Sequence, residues 1–283
     1  MIRIKMLCNW ASSKELCNEW SNMCKDMFKW KNIEITWDDN NIDYYIILNY
    51  PQDHEYYEPK KTIIFQMEPS VAIKHWGKWS HPDEKLFMFV GSHKNILNAV
   101  QLQIRTIPHL FPDVRENKLI SILSFKAHDI GHIKRLNFIK QLEIKKLNLI
   151  DVYGKENYHN FNNYKGKVIE NSKEKCFEKY KYCFQAENNS EYNYATEKIW
   201  EPIVCECLCF YWGCPNLEDY INSAAFVRLN LDDIDGSIHI IKTAIEEDWW
   251  SQRIEMIREE KKKIINELGF FPTVKKIISN QKE

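Results

Sequence analysis

No stretch of this 283-residue chain approaches the ~20 apolar residues of a membrane span. The opening MIRIKMLCNWASSKE also lacks the long apolar core of a secretory signal. The expectation is a soluble, cytoplasmic protein. Charge of one sign is not in excess either: 39 basic and 40 acidic residues leave a net charge of −1. That argues against wholesale binding of nucleic acid or an anionic membrane surface. Internal repeats and low-complexity blocks are missing, which excludes solenoids and propellers. Regular cysteine pairs are missing too. The nine cysteines are odd in number, and the densest group (Cys205, Cys207, Cys209 and Cys214) begins with C-x-C spacing. Structural zinc sites prefer C-x2–4-C pairs, whereas alternate thiols on a strand share a face and pack well. Free thiols and no metal site are expected.

What is present suits a folded protein of one large or two medium domains: 44% hydrophobic and 28% charged residues. Short apolar runs rich in β-formers alternate with longer amphipathic ones. The first set is IRIKML, IEITW, YYIILNY, KTIIFQM and KLFMFVG. Between the first two, Leu16, Trp20, Met23 and Met27 fall at helical spacing, with Ser12 or Ser13 as N-cap. The second set holds LISILSF, LNLIDVYG, KYKYCFQAEN, CLCFYWG and AAFVRLN, with helices predicted in HIKRLNFIKQLEI and ATEKIWEPIVCE. From about Ile234 onward the chain reads as helical. Such alternation predicts two α/β domains built on parallel sheets. The proline-containing segment TIPHLFPDVRENK separates the sets, giving domains 1–115 and 116–283, the second with the terminal helices. Ligands of such folds bind beyond the carboxyl ends of the strands, in a cleft.

The densest polar stretch, residues 179–202, ends a strand near Glu187 and opens a helix at about Thr196, with Glu197 and Lys198 in its first turn. Glutamate suits that end of the helix dipole and lysine does not. A phosphate over the exposed N–H groups would account for the lysine; a solvated surface lysine is the ordinary alternative. The neighbours Asn188, Asn189, Tyr192 and Tyr194 favour a ligand loop.

The run YKYCFQAENNSEYNYATEKIWEPIVCECLCFYWGCPNLEDYI strongly resembles the family-10 glycosyltransferases, the α1,3/α1,4-fucosyltransferases, whose signature has the form YKF…FEN…YxTEK…PIYWGxPN. The matching elements are Tyr180-Lys181, Glu187-Asn188, Tyr194, Thr196-Glu197-Lys198, Tyr211-Trp212-Gly213 and Pro215-Asn216. The resemblance implies a GT-B fold, two Rossmann-like domains with parallel sheets facing across a cleft, the second holding a GDP-sugar. It implies that Lys198 and Arg135 contact the diphosphate, that Glu197 holds the ribose, that Asn188 lies near sugar and phosphates, and that Tyr194 walls the nucleotide pocket. Glu187 and His132 are further donor-pocket candidates. In IIFQMEPS, Glu68 ends an apolar strand and is similar to the family's catalytic base; the plain alternative is a strand-terminating charge. RTIPHLF resembles, over a short span, the element leading into the second domain. Ala186 and Cys214 depart from the family pattern and bear on which sugar is held.

The implied reaction is inverting transfer of L-fucose from GDP-fucose, or of another GDP-sugar, to a hydroxyl of an acceptor oligosaccharide or glycoconjugate in α1,3-type linkage. It requires no metal or cofactor. His75, Trp76 and Trp79 offer a stacking surface for the acceptor sugar, or else pack a loop onto the first domain. Asp233 and Asp235 form a DxD-like pair that reads better as a helix cap than as a metal site. His128 and His132 have metal-ligand spacing but no evident third ligand, and Gly131 between them weakens a helix. Two other readings stay open: the same fold with another nucleotide-sugar donor, and a catalytically silent glycan- or nucleotide-binding module.

Overall fold

Alternate residues of IRIKMLC point to opposite sides of a strand: Ile2, Ile4, Met6 and Cys8 make one side apolar, while the other begins with Arg3 and Lys5 and ends on apolar Leu7, with Lys5 buried against Asp39 and Glu55. The computed structural model describes residues 1–280 except 25, 98–99, 105, 110, 113 and 170–171. It divides into two units: Met1–Gln103 with Glu191–Tyr194 and the chain from Asn266 onward, and Ile104–Ser190 with Ala195–Ile265.

The first unit contains β1 (Ile2–Cys8), α1 (Ser13–Trp20), β2 (Lys29–Trp30), β3 (Ile33–Thr36), β4 (Tyr44–Leu48), β5 (Thr62–Phe65), the single turn α2 (Ser70–Ile73) and β6 (Phe89–Gly91). Its sheet has the order β2-β3-β1-β4-β5-β6, parallel except for the β2 edge. Ser12 caps α1 in a reciprocal box with Glu15. Leu16 and Trp20 are buried as their spacing predicts, but Met27 lies beyond the helix at φ 42° and is exposed. One face of the sheet packs Ile4, Met6, Ile46, Leu48, Ile63 and Phe65. The other packs Leu7, Tyr45, Ile47 and Ile64 with Phe87 and Val90.

The second unit contains β7 (Glu116–Leu123), α3 (Ile130–Ile144), β8 (Ile150–Gly154), β9 (Tyr164–Gly166), α4 (Lys173–Phe177), β10 (Tyr180–Ala186), α5 (Glu197–Val204), β11 (Leu208–Trp212), β12 (Phe226–Arg228), α6 (Ile234–Glu246) and α7 (Trp249–Lys263). Its sheet, β12-β11-β10-β7-β8-β9, is parallel throughout. The chain enters this unit at Ile104, upstream of the boundary expected between 115 and 116. Two bonds fix the entry there: Thr106 N donates to Glu174 Oε1 at 3.1 Å and Lys261 Nζ to the Pro108 carbonyl at 2.8 Å. Arg105 lies outside the described residues.

The last helix, α8 (Phe270–Asn280), departs from the expected division, because it belongs to the first unit. Phe270 meets Trp20 at 4.2 Å between ring centroids, and Phe271 stacks on Trp30 at 5.8 Å. Burying two phenylalanines contributes roughly 1.5–3 kcal/mol each, which local helix periodicity does not register.

Both sheets reverse their winding once. In order along the sheet, the second unit reads 3-2-1-4-5-6, with the reversal between β7 and β10. The first, without its antiparallel edge, reads 2-1-3-4-5, with the reversal between β1 and β4. Crevices at the carboxyl ends of the strands beside such reversals are where doubly wound sheets bind ligands.

Candidate functional site

In the second unit the residues after β7 and β10 meet at the reversal. Asp129 precedes α3, and its backbone N–H donates to His132 Nδ1 at 3.3 Å. The Gly131 N–H donates to the Asn188 carbonyl at 3.0 Å, and a Cβ on Gly131 would lie 1.7 Å from the Glu187 carbonyl oxygen. Glycine is therefore what lets the start of α3 lie against the turn after β10, an approach that a reading of Gly131 as a helix weakener does not anticipate. One turn along, Arg135 is 3% exposed and donates from Nη1 to the Ala186 carbonyl at 3.1 Å. Its Nε is buried without a partner among the described residues. Burial pulls the guanidinium pKa down, against the opposing pull of Glu187 and Glu197.

Glu187 is fully buried. Its carboxylate accepts from Thr196 N at 2.8 Å, Thr196 Oγ1 at 2.6 Å and the Tyr211 hydroxyl at 3.1 Å, and lies 3.5 Å from Lys198 Nζ. Gly213, at φ 158°, leaves room for it, since a Cβ there would sit 2.4 Å from Glu187 Cγ. Burial pushes the Glu187 pKa up. Its carboxylate thus holds the start of α5 from inside, rather than lining an open pocket.

Thr196 is the N-cap of α5, yet no side chain caps that helix, because the Thr196 hydroxyl donates to Glu187 instead. Lys198 Nζ lies 3.1 Å from Thr196 Oγ1 and 3.2 Å from Glu197 Oε1. Burial works against ionising Lys198, but Glu197 and Glu187 outweigh it and raise its pKa. Burial likewise opposes the Glu197 carboxylate, which Lys198 and Lys173 hold down to about 2. The result is an ionised lysine beside an uncapped helix start, with Arg135 one element away, an arrangement suited to an anion. Asn188 is half-buried at the same turn. His132 is 1% exposed, and burial followed by Arg135 lowers its pKa to about 4, so the ring is neutral and its proton sits on Nε2. It serves the start of α3 rather than an open pocket.

His128, Asp129 and His132 place possible metal-ligand atoms within 4.8 Å of one another. A cation there would face the positive end of α3 together with Arg135 and Lys198, while His132 Nδ1 already accepts a hydrogen bond. The cluster therefore suits a cation poorly. Asp233 caps α6 through Gly236 N, as its sequence context predicts. The cysteines are free thiols, all buried except half-buried Cys24. Burial pushes Cys207 up to about 12.

In the first unit Glu68 follows β5 and is half-buried. Its carbonyl accepts from His93 Nε2 at 2.6 Å, and Met67 N donates to Asn49 Oδ1 at 2.8 Å. Tyr194 also belongs to this unit; it is 1% exposed, its ring edge-on to His93 at 5.0 Å. The exposed aromatic ring of that stretch is Tyr192. An open cavity of about 560 Å³ is lined by Asn9, Tyr50–Asp53, His75, Trp76, Lys78 and Trp79. Asn9 and Tyr50 lie just after β1 and β4, beside the reversal of this sheet. Trp76 meets Tyr50 at 5.3 Å, while Trp79 also packs on Tyr57 and Phe87, the packing that the second reading of these tryptophans expects. The sequence reading missed Asn9, Tyr50 and Gln52; their positions just after strands were the available signal. Among the described residues no helix is long and apolar enough to cross a membrane.

Residues 115–234 match the glycosyltransferase family 10 (fucosyltransferase) C-terminal domain, a span that includes Arg135 and the residues from Glu187 to Lys198. Among solved structures the chain is similar to an alpha1,3-fucosyltransferase with GDP, at 16% identity over 89% of this chain and 81% of that one, TM-score 0.54. It is also similar to an alpha-glucosyltransferase in complex with UDP, at 10% identity over 99% and 100% of the two chains, TM-score 0.64. At such identities the likeness is one of fold, a GT-B fold containing two parallel-sheet α/β domains. No curated protein sequence matches the chain.

Proposed function

We propose that this chain, a glycosyltransferase carrying the family-10 C-terminal domain over residues 115–234, transfers L-fucose from GDP-fucose to a hydroxyl of an acceptor glycan, with inversion and in α1,3-type linkage. The observation that carries the reading is the uncapped start of α5 with its ionised Lys198, set inside the matched span. Lys198, Arg135 and the first-turn N–H groups of α5 stabilise the charge that grows on the GDP diphosphate as its bond to the sugar breaks. The chain's own cations meet that need, so the transfer proceeds without a metal or cofactor. Glu197 holds the ribose, and Asn188 lies near the sugar and phosphates.

Glu68 accepts the proton of the acceptor hydroxyl as that oxygen attacks C1 of the sugar from the side opposite the diphosphate. A free glutamate has a pKa near ~4.3, so it is ionised at neutral pH but a weak base. Proton transfer is then late and concerted with C–O bond formation. The cavity at Tyr50, Trp76 and Trp79 takes the acceptor, aromatic faces against the C–H faces of its sugar rings, with Asn9, Gln52 and His75 bonding its hydroxyls.

A second reading has one specific observation behind it: the whole-chain likeness to an alpha-glucosyltransferase in complex with UDP. It keeps the same roles for a different nucleotide-sugar. Thermal denaturation with GDP, GDP-fucose, GDP-mannose and UDP, each with and without EDTA, separates the two. A ligand at a hundred times its Kd stabilises by ~2.7 kcal/mol, which is readily seen. EDTA-insensitive stabilisation by GDP and GDP-fucose alone is the expected outcome. Stabilisation by UDP instead would reassign the donor, and none by any nucleotide would overturn both.

A further inference from the structure

We propose that Glu191 and His93 are positioning residues for Glu68, holding the base-bearing loop in register from both sides. The inference rests on the reading of Glu68 as the base. Glu68 sits on the irregular chain between β5 and α2, where no strand ladder fixes it. Upstream, Gln66 N donates to the Gly91 carbonyl at 2.9 Å and Met67 N to Asn49 Oδ1. At Glu68 itself the attachment is His93, whose Nε2–H donates to the Glu68 carbonyl at 2.6 Å. Downstream it is Glu191, whose two oxygens both lie 3.1 Å from Ser70 N and one of which accepts from Ser70 Oγ at 2.5 Å. Hydrogen bonds to an ionised carboxylate are the short, strong kind.

His93 is itself fixed. It is 7% exposed, and burial lowers its pKa, so the ring is neutral with its proton on Nε2. Its carbonyl accepts from Asn193 Nδ2 at 2.6 Å, and Tyr194 lies against its ring. The attachments through His93 and through Ser70 therefore converge on Glu191–Tyr194, a segment grouped with the first unit although the residues on either side of it, Ser190 and Ala195, belong to the second. The same loop carries Glu187 and Asn188 before it and Thr196, Glu197 and Lys198 after it. One stretch of chain thus bears the proposed phosphate-binding residues and fastens the proposed base. A weak base gains most from exact aim, because misplacement by about 1 Å costs on the order of a hundredfold in rate.

The test is steady-state transfer from GDP-fucose by the full chain, with GDP affinity measured separately, for Glu191→Ala, Glu191→Gln, Ser70→Ala and Glu68→Gln. Glu191→Ala should lower kcat roughly 10–100-fold, with GDP affinity and acceptor KM within about twofold of the parent. Glu191→Gln keeps an oxygen for the Ser70 N–H and should recover most of that loss. Ser70→Ala, which removes only the hydroxyl bond, should cost a few-fold and remains informative should Glu191→Ala fail to fold. Undiminished kcat in Glu191→Ala, or in Ser70→Ala where that protein does not fold, would overturn the positioning role. So would a fall in GDP affinity equal to the fall in kcat. If instead Glu68→Gln turns over normally, the base assignment fails first, which separates the two failures.

Discussion

The two units share an architecture and differ in what their loops carry. Each is a parallel sheet that reverses its winding once, and each collects polar residues just after the strands that flank the reversal. At that edge the second unit sets Arg135 and Lys198 against the carboxylates Glu187 and Glu197 and the uncapped start of α5. The first has an aromatic cavity and, on the loop after β5, a single half-buried glutamate. Winding decides where a ligand can sit, and the loops decide which chemistry it meets: in the proposed function, phosphate in one unit, sugar rings and a hydroxyl proton in the other. Each unit also buries a neutral histidine near its loops, His93 and His132, both fastening backbone rather than standing open.

The sharpest way to break this division is at Glu68. Glu68→Gln should lower transfer by about 10³-fold while leaving GDP affinity within twofold, because the proposed general base touches the acceptor alone. Parallel loss of both, by kinetics and nucleotide titration, would merge the two roles. The histidines come next. His132 stays neutral down to about 4 against an ordinary 6.5, so between those values the unfolded chain binds the extra proton. Stability should therefore fall as pH drops from 6.5 to 4 and change no further from this group below 4, by up to about 3 kcal/mol. Denaturant melts of His132→Gln should show a shallower slope in that window, the remainder coming from other groups with depressed pKa values, His93 and carboxylates such as Glu197 among them. An unchanged slope would mean that His132 is protonated in the folded state.

Lys198→Ala should weaken GDP binding about tenfold and kcat/KM about a hundredfold, since in the proposed function the lysine acts on both bound and departing diphosphate. Unchanged GDP affinity by calorimetry would remove phosphate from the second unit. Trp76→Ala should be the mildest, raising acceptor KM by about tenfold with kcat for GDP-fucose nearly kept. An effect on donor KM instead would undo the assignment of the cavity to the acceptor.

Much of the second unit's site was legible in advance. Strand β10, the polar loop and the helix opening at Thr196 follow from apolar alternation giving way to capping chemistry over about twenty residues. What local pattern did not carry was the direction of each side chain. Glu187 and Lys198 sit in the same polar run and meet over Thr196, but the Glu187 carboxylate is fully buried on Thr196 and Tyr211, while Lys198 is only partly buried and also reaches Glu197. Tyr194 reads as a pocket wall, and the structure buries it on His93, a residue a hundred positions earlier. Gly131 reads as a weak point in α3 and is in fact where α3 meets Glu187.

By itself the sequence determined the strands, the main helices, two parallel-sheet units and the match of residues 115–234 to the family-10 C-terminal domain, because periodicity, capping and motif spacing act over neighbouring residues. Tertiary structure alone decided that α8 completes the first unit's core, that Glu187 is a strut, that the aromatic cavity opens beside β1 and β4, and that Glu191–Tyr194 fastens the loop of Glu68. Each of these depends on groups far apart in the chain, whose burial and hydrogen bonding exist only once both sheets have formed.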